Sequence, residues 1–208
     1  SRVVLLASGV LIAGGAVLFF AFEGDRVLKD LPWQNRVLAS LFQSITARTA
    51  GFNTVDIGML ANETILLLIA LMFIGASPGS TGGGIKTTSA SLLFLIMWSR
   101  LRGREEVNIF NRTIPRELLQ RTISIILASS LSVCFIVSIL LLSADYGGAP
   151  AESRHLFVEY MFETVSAYAT VGLSMNLTPG LNTPQKLGII LMMFAGRVGP
   201  LTLAFSLA

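Results

Sequence analysis

Two short segments of this chain place a threonine, a variable residue and a glycine in the same order. The first motif is Thr49-Ala50-Gly51-Phe52 and the second motif is Thr170-Val171-Gly172-Leu173. Glycine lets consecutive peptide groups turn so that their carbonyl oxygens point toward an axis, where they can replace the hydration shell of an ion. The pattern therefore predicts ion coordination by backbone carbonyls in a selectivity filter, with no covalent bond chemistry.

The two motifs belong to a longer internal repeat. Residues 41–47, LFQSITA, align with residues 161–167, MFETVSA, and each stretch leads into one motif. Around each motif the order is a spanning segment, a short helix, the glycine motif and a second apolar segment. The predicted short helices, residues 36–48 and 156–168, cannot cross a bilayer. Each unit returns the chain to its starting side, so two parallel helix–pore-loop–helix repeats are expected.

The composition indicates a membrane protein. Hydrophobic residues make up 53% of the chain and charged residues only 13%, whereas about a quarter of the residues in a soluble domain are charged. Residues 3–22 and 122–143 contain no charged residue and are long enough to cross the hydrocarbon core. The predicted fold class is thus an all-α membrane protein with two such repeats.

The repeats divide the chain into three parts. Residues 1–104 are predicted to form the first repeat, residues 105–120 a cytoplasmic basic linker, and residues 121–208 the second repeat. The chain opens without methionine and stops inside an apolar run, so we expect it to be part of a larger protein with its last helix truncated.

The distribution of charge predicts an orientation. Arginines concentrate between residues 100 and 121, which fits a cytoplasmic loop under the positive-inside rule. Both motifs then lie toward the outer face. Because the basic residues do not spread along a groove, a nucleic-acid partner is not expected, and the single cysteine, Cys134, suggests neither a disulfide nor redox chemistry.

Residues 63–99 cannot form one regular membrane helix. Unbroken, they would extend roughly 55 Å, against a hydrocarbon core of about 30 Å. One interrupted span is favoured over a hairpin of two spans, since a hairpin would move the basic loop to the motif side. The interruption is the glycine-rich loop, which we expect to act as a gate below the filter; the alternative is a packed helix kink. Its residues are Ser77, Pro78, Gly79, Ser80, Thr81, Gly82, Gly83 and Gly84, with Lys86 following.

Ionisable residues at membrane depth are expected to be functional or paired. Arg197, in the last apolar segment, is either an electrostatic barrier to cations or a structural brace. Arg48, after the first short helix, is expected to brace the filter. An alternative function is a secondary transporter coupled to Na⁺ or H⁺, with the interrupted helix as substrate site. That mechanism needs a carboxylate at membrane depth, and Glu163 is the nearby candidate.

Four ordered segments resemble the Trk/Ktr/HKT superfamily of potassium transporters, and in particular the membrane subunits of the bacterial Ktr and Trk systems. They are SITARTAGFNTVDIG (44–58), GASPGSTGGGIKTTS (75–89), FETVSAYATVGLS (162–174) and MFAGRVGPLTL (193–203). The resemblance covers nearly the whole chain. It implies a four-repeat pore of which this chain is the third and fourth repeats.

The resemblance also implies roles for residues. It assigns K⁺ binding to backbone carbonyls of the first motif (Thr49, Ala50, Gly51, Phe52) and the second motif (Thr170, Val171, Gly172, Leu173). It assigns gating to residues 77–84 with Lys86, and a pore arginine to Arg197. In this superfamily a serine at one filter glycine is associated with sodium transport, so glycine at both visible positions favours potassium.

The resemblance further implies a non-enzymatic potassium-uptake subunit in the bacterial inner membrane, with multiple spans. It implies a homodimer of the full-length subunit and a cytosolic ring of nucleotide-binding RCK-type regulators. No covalently bound cofactor is implied, and K⁺ is the transported ion.

Overall fold

The computed structural model of the chain describes residues 2–103, 108–109, 112–144 and 154–199. Within these ranges the chain is helical, apart from one pair of two-residue strands. The helices are α1 (Arg2–Glu23), α2 (Trp33–Thr46), α3 (Asn62–Phe73), α4 (Thr87–Leu101), α5 (Arg116–Leu142), α6 (Arg154–Ala169) and α7 (Thr183–Val198). Short 3-10 helices cover Ile57–Met59 and Thr178–Gly180, and strands β1 (Asn108–Ile109) and β2 (Arg112–Thr113) pair antiparallel.

The two repeats predicted from the sequence are present. In the first, α1 packs against α2, and the first motif leads from α2 to α3. In the second, α5 packs against α6, and the second motif leads from α6 to α7. Contacts of α3 with α6 and of α4 with α5 join the repeats. The chain therefore has the all-α architecture of paired helix–pore-loop–helix units.

Helices α1 and α5 are long and apolar enough to cross a membrane. Only 11% of the apolar stretch of α1 and 28% of that of α5 is buried, whereas the core helix of a soluble protein would be mostly buried. Helices α2 and α6 have 14 and 16 residues, too few to span the hydrocarbon. The structure therefore has the alternation of long and short helices that the hydropathy pattern predicts.

The segment after the first motif divides into α3 and α4. Between them, Ile74 forms an isolated parallel bridge with Ile85. The amide of Ile85 donates to the carbonyl of Phe73 at 3.1 Å, and the amide of Thr87 donates to the carbonyl of Ala76 at 3.3 Å. In a parallel bridge the chain runs the same way on both sides, so it leaves the glycine-rich loop in the direction in which it entered. This geometry favours one interrupted span.

The helix ends follow local chemistry. Helix α2 begins at Trp33, directly after Pro32, because proline has no backbone donor to lose at a helix start. Helix α7 begins with a capping box, in which the Asn182 side chain accepts from the Gln185 amide and Gln185 accepts from the Asn182 amide, both at 3.0 Å. Gln185 also donates to the Leu140 carbonyl at 2.9 Å, which fixes α7 against α5.

The buried core lies between the repeats and surrounds the motifs. Phe162 and Tyr168 of α6 are almost completely buried, as are Leu68 and Met72 of α3. The side chains of Val171 and Leu173 in the second motif join the same cluster. The core thus lies against the motifs, of which Val171 and Leu173 are buried. Irregular backbone is tolerated at membrane depth where it is buried in protein or lines a water-filled cavity.

Candidate ion-conduction site

The first motif has alternating backbone conformations. Thr49 and Gly51 both have φ of 76°, in the left-handed region, while Ala50 between them does not have positive φ. A threonine in this region is strained by about 1–3 kcal/mol and persists only where its surroundings impose it. Alternating left- and right-handed residues turn successive carbonyls toward one side, whereas an ordinary strand points them to opposite sides.

The second motif repeats this geometry without repeating the sequence. Thr170 has φ of 54° and Gly172 has φ of 90°, and Val171 again lies between them without positive φ. Both motifs therefore adopt the same unusual turn at equivalent positions. A feature that recurs in two repeats and includes a strained threonine each time indicates a functional constraint.

The amide groups of the first motif point back toward α2. The amides of Ala50 and Gly51 donate to the carbonyl of Thr46 at 3.1 and 3.4 Å. The Thr46 hydroxyl accepts from the Phe52 amide at 2.9 Å and donates to the Phe52 carbonyl at 2.5 Å. The Phe52 carbonyl is therefore occupied, unlike the other three carbonyls of this motif.

The second motif is anchored on α6 in the same way. The amide of Thr170 donates to the Ala167 carbonyl at 3.1 Å, and that of Val171 donates to the Ser166 carbonyl at 3.0 Å. Ser166 is the repeat equivalent of Thr46. The short helices thus hold the amides of both motifs.

The carbonyl oxygens of the motifs remain free. Among the residues that the structure describes, no donor bonds the carbonyls of Thr49, Ala50, Gly51, Thr170, Val171 and Gly172. Of these six residues only Val171 is buried, and free backbone groups of this kind are tolerated at membrane depth where they line a water-filled cavity. Carbonyl oxygens in this state are able to coordinate a cation.

The two motifs meet at their glycines. A Cβ atom built on Gly51 would collide with the Val171 carbonyl oxygen and lie 3.5 Å from the Gly172 Cα. A Cβ atom on Gly172 would have only the Gly51 Cα within 4 Å, at 3.8 Å. Both glycines have positive φ, but only Gly51 lacks space for a side chain.

In the segment that follows each motif, the chain is hydrogen-bonded to a side chain of the preceding short helix, a carboxylate in one repeat and an amide in the other. The Glu163 carboxylate accepts from the Ser174 hydroxyl at 2.5 Å, the Met175 amide at 3.0 Å and the Thr178 hydroxyl at 3.0 Å. The repeat-equivalent residue Gln43 donates to the Thr54 hydroxyl at 3.3 Å. Glu163 is thus engaged in bracing the segment that follows the second motif.

The glycine-rich loop lies directly against both motifs. The amide of Gly83 donates to the Thr170 side-chain oxygen at 2.7 Å. A Cβ atom on Gly83 would lie 2.7 Å from the Tyr168 carbonyl oxygen, and one on Gly82 would lie 2.8 Å from the Thr49 methyl group. Side chains at these two positions would collide, which explains why glycines occupy the contact.

Two cationic side chains hold the loop, and a third, Arg48, bonds the chain just before it. Arg197, in the last turn of α7, donates to the Thr81 carbonyl at 2.6 Å, and Lys86 donates to the Gly82 carbonyl at 2.5 Å. Arg48 donates to the carbonyls of Ser8 and Gly75, at 3.4 and 3.5 Å. The structure thus places the residues predicted as filter, gate and pore arginine in one continuous set of contacts.

Sequence reasoning did not find every residue of this arrangement. The Thr46–Phe52 and Glu163–Ser174 contacts were not predicted, although the alignment of residues 41–47 with 161–167 places Gln43 opposite Glu163. That alignment was the available signal. The buried carboxylate of Glu23, which accepts from the Ala61 amide at 2.9 Å and the Thr64 hydroxyl at 2.6 Å, carried no signal in the sequence.

Repeated spanning helices with short helices and re-entrant loops define a class of membrane proteins with pore loops. The family model described as TrkH, cation transport protein, matches residues 2–208. The chain therefore belongs to the TrkH family of cation transport proteins.

Curated relatives agree with this assignment. The chain is 38% identical over 210 residues to the Ktr system potassium uptake protein B of Vibrio alginolyticus, covering 100% of this chain and 44% of that protein. It is 37% identical over 209 residues to the potassium/sodium uptake protein NtpJ of Enterococcus hirae, covering 100% of this chain and 45% of that protein. The chain thus spans less than half the length of these relatives.

A solved structure has the same fold. The potassium transporter TrkH from Vibrio parahaemolyticus matches with a TM-score of 0.75 and 19% sequence identity, over 100% of this chain and 43% of that chain. This match supports the arrangement of the helices.

Proposed function

We propose that the full-length protein carries K⁺ across the membrane through a filter to which this chain contributes two of four strands. The observation that carries the proposal is the set of free carbonyls in two motifs with the same left-handed turns. Oxygens arranged around an axis replace the hydration shell of an ion without any chemical reaction. The name of the Vibrio alginolyticus relative supports potassium as the ion.

The ions pass down their electrochemical gradient, and the glycine-rich loop controls their passage. This part of the proposal is supported by the Gly82 and Gly83 contacts with the two motif threonines, since a loop in contact with both motifs is able to block the path between them. A short backbone movement would clear that end. Loops with few apolar contacts open at low free-energy cost, as a gate must.

The charge distribution supports an orientation with the loop at the cytoplasmic end of the filter and the motifs toward the outer face. The protein would be a multi-pass protein of the bacterial inner membrane. We further propose a homodimer with a cytosolic RCK-type nucleotide-binding ring; its support is the superfamily resemblance and the word "system" in the names of the Ktr relatives.

Ion flux tests this proposal against coupled transport. The full-length protein is reconstituted in vesicles, and K⁺ uptake is measured with a membrane potential as the only driving force, without Na⁺ or H⁺ gradients. We expect uptake under these conditions. Uptake that requires a Na⁺ or H⁺ gradient would instead establish the coupled mechanism.

A matched pair of variants ties the flux to the motifs. Gly51→Ala places a methyl group on the Val171 carbonyl oxygen and should abolish uptake. Gly14→Ala, in α1, meets no atom within 4 Å and favours the helix, so uptake should persist. Normal uptake by Gly51→Ala would remove this motif from the conduction path.

A further inference from the structure

A cavity lies against the glycine-rich loop, and no residue of either motif lines it. Its volume is about 200 Å³, and its walls come from α4, α5, the end of α6, the end of α7 and the loop itself. The polar residues that line it include three cations, Lys86, Arg121 and Arg197. Within the described part of the chain, no carboxylate lines this cavity.

The charges of these cations are not neutralised by the contacts that the structure describes. Lys86 donates to the carbonyls of Ser80 and Gly82, and Arg197 donates to that of Thr81. Carbonyls satisfy hydrogen bonds but carry no charge. Arg121, in the first turns of α5, forms no ion pair with a described carboxylate, and Glu117 one turn earlier lies beyond ion-pair distance.

Like charges grouped around one cavity repel one another, and an anion between them removes that repulsion. The first turn of α4 adds to the positive potential, because Ser89 lines the cavity and the start of this helix has no side-chain cap. Arginine is well suited to oxyanions, since its planar guanidinium group can bind two oxygens at once.

We propose that this cavity binds a phosphate-type oxyanion, held by Arg121 together with Lys86 and Arg197. Two sources can supply the group: the headgroup of an anionic phospholipid, or a free phosphate compound from the cytoplasm. The volume accommodates a phosphate or diphosphate group and not a whole nucleotide.

The effect of the anion on the loop rests on the proposed gating function. An oxyanion attracts a cation through its net charge as well as through a hydrogen bond, whereas a neutral carbonyl offers the hydrogen bond alone. The hydrogen bonds from Lys86 and Arg197 to the carbonyls of residues 80–82 hold the loop in place. A bound phosphate would therefore draw these two side chains away from the loop. Anion binding should favour release of the loop and raise ion flux.

Binding is tested without measuring flux, so that the two proposals can fail separately. The full-length protein is purified in nanodiscs of phosphatidylcholine with or without phosphatidylglycerol, and native mass spectrometry counts the retained anionic lipid. In a parallel arm, calorimetry measures pyrophosphate binding in pure phosphatidylcholine. Binding in the first arm identifies a lipid headgroup, and binding only in the second identifies a free phosphate.

Two variants with the same charge change decide whether the cavity is the site. Arg121→Gln should weaken the binding of the effective probe by about tenfold, the loss expected for one charged hydrogen-bond partner. Arg100→Gln, in the last turn of α4 and outside the cavity, should bind as the unaltered protein does. Arg121→Lys should recover part of the affinity, and circular dichroism checks the fold of each variant.

The proposal is overturned if neither probe binds the unaltered protein, or if Arg121→Gln and Arg100→Gln lower the affinity equally. Flux is then measured in vesicles with and without the effective probe. Binding without any change in flux would leave the anion site in place and contradict its link to the gate.

Discussion

The backbone amide of Gly83 donates a 2.7 Å hydrogen bond to the side-chain oxygen of Thr170. Gly83 belongs to the glycine-rich loop and Thr170 to the second motif, so this bond joins the proposed gate to the proposed filter. Thr170 has a strained φ of 54°, and this hydrogen bond is one of the contacts that hold it in that conformation.

Removing this hydroxyl should loosen the loop. Thr170→Val keeps the shape and the β-branch of the side chain but cannot accept from Gly83. The lost bond and the unpaired amide cost the docked loop about 1 kcal/mol, which shifts its equilibrium about fivefold toward release. We expect a rise in basal K⁺ flux of that order in vesicles.

Thr170→Ser is the matched control, because it keeps the acceptor oxygen and should retain a low basal flux. If Thr170→Val and Thr170→Ser conduct alike, the hydrogen bond has no part in holding the loop.

The two motif glycines should respond differently to serine. A side chain on Gly172 has only one atom within 4 Å, whereas one on Gly51 collides with the Val171 carbonyl oxygen. We expect Gly172→Ser to fold, despite the cost of positive φ, and to lower the preference for K⁺ over Na⁺. Gly51→Ser should instead lower the yield of folded protein.

Rubidium and sodium uptake by the purified protein measure the selectivity, and size-exclusion chromatography measures the folded yield. Gly180→Ser serves as the control, since Gly180 has open space and lies outside the motifs. Unchanged selectivity in well-folded Gly172→Ser would contradict the assignment of this glycine to the filter. The relative named as a potassium/sodium uptake protein makes this comparison of the two ions informative.

The sequence predicted the helices of this fold closely, because their boundaries depend on local properties. The apolar segments 3–22 and 122–143 correspond to α1 and α5, and the short helices lie where the repeat alignment put them. The differences are at the ends. Helix α2 begins at Trp33 instead of residue 36, since Pro32 permits an earlier start, and α5 begins at Arg116, inside the predicted linker.

Contacts between distant residues could not be predicted in the same way. Arg197 and Thr81 are far apart in the chain, and nothing in either local sequence indicates that they meet. Pairing depends on how α7 packs against the interrupted span, which is a property of the whole fold. The β1–β2 hairpin was also missed, because its four paired residues carry no alternating hydrophobic pattern.

Two substitutions of Arg197 separate the brace from the electrostatic barrier. The observed bond to the Thr81 carbonyl favours a brace. Arg197→Gln removes the charge and the guanidinium group and should raise basal flux under either mechanism. Arg197→Lys keeps the charge but cannot reproduce the guanidinium geometry. We expect both variants to raise K⁺ flux in vesicles; a low flux in Arg197→Lys alone would identify the charge as the barrier.

Substitutions of Glu163 decide between a structural carboxylate and a coupling carboxylate. The Glu163 side chain is buried and accepts three hydrogen bonds from the segment after the second motif. Glu163→Ala would leave these donors unpaired, at a cost of about 1–3 kcal/mol for each one that water does not reach. We expect a lower midpoint of thermal unfolding and loss of K⁺ selectivity in this variant.

Glu163→Gln is the informative partner of that variant. Glutamine keeps an oxygen for the Met175 amide, its amide group can donate to the Thr178 hydroxyl, and glutamine is the residue at the equivalent position of the first repeat, Gln43. We therefore expect Glu163→Gln to retain most of the stability and to conduct K⁺ under a membrane potential. A glutamine cannot exchange a proton, so a coupling role predicts a different result. If uptake by the unaltered protein depends on a H⁺ or Na⁺ gradient and Glu163→Gln abolishes that dependence, the carboxylate couples ions and the passive mechanism is wrong.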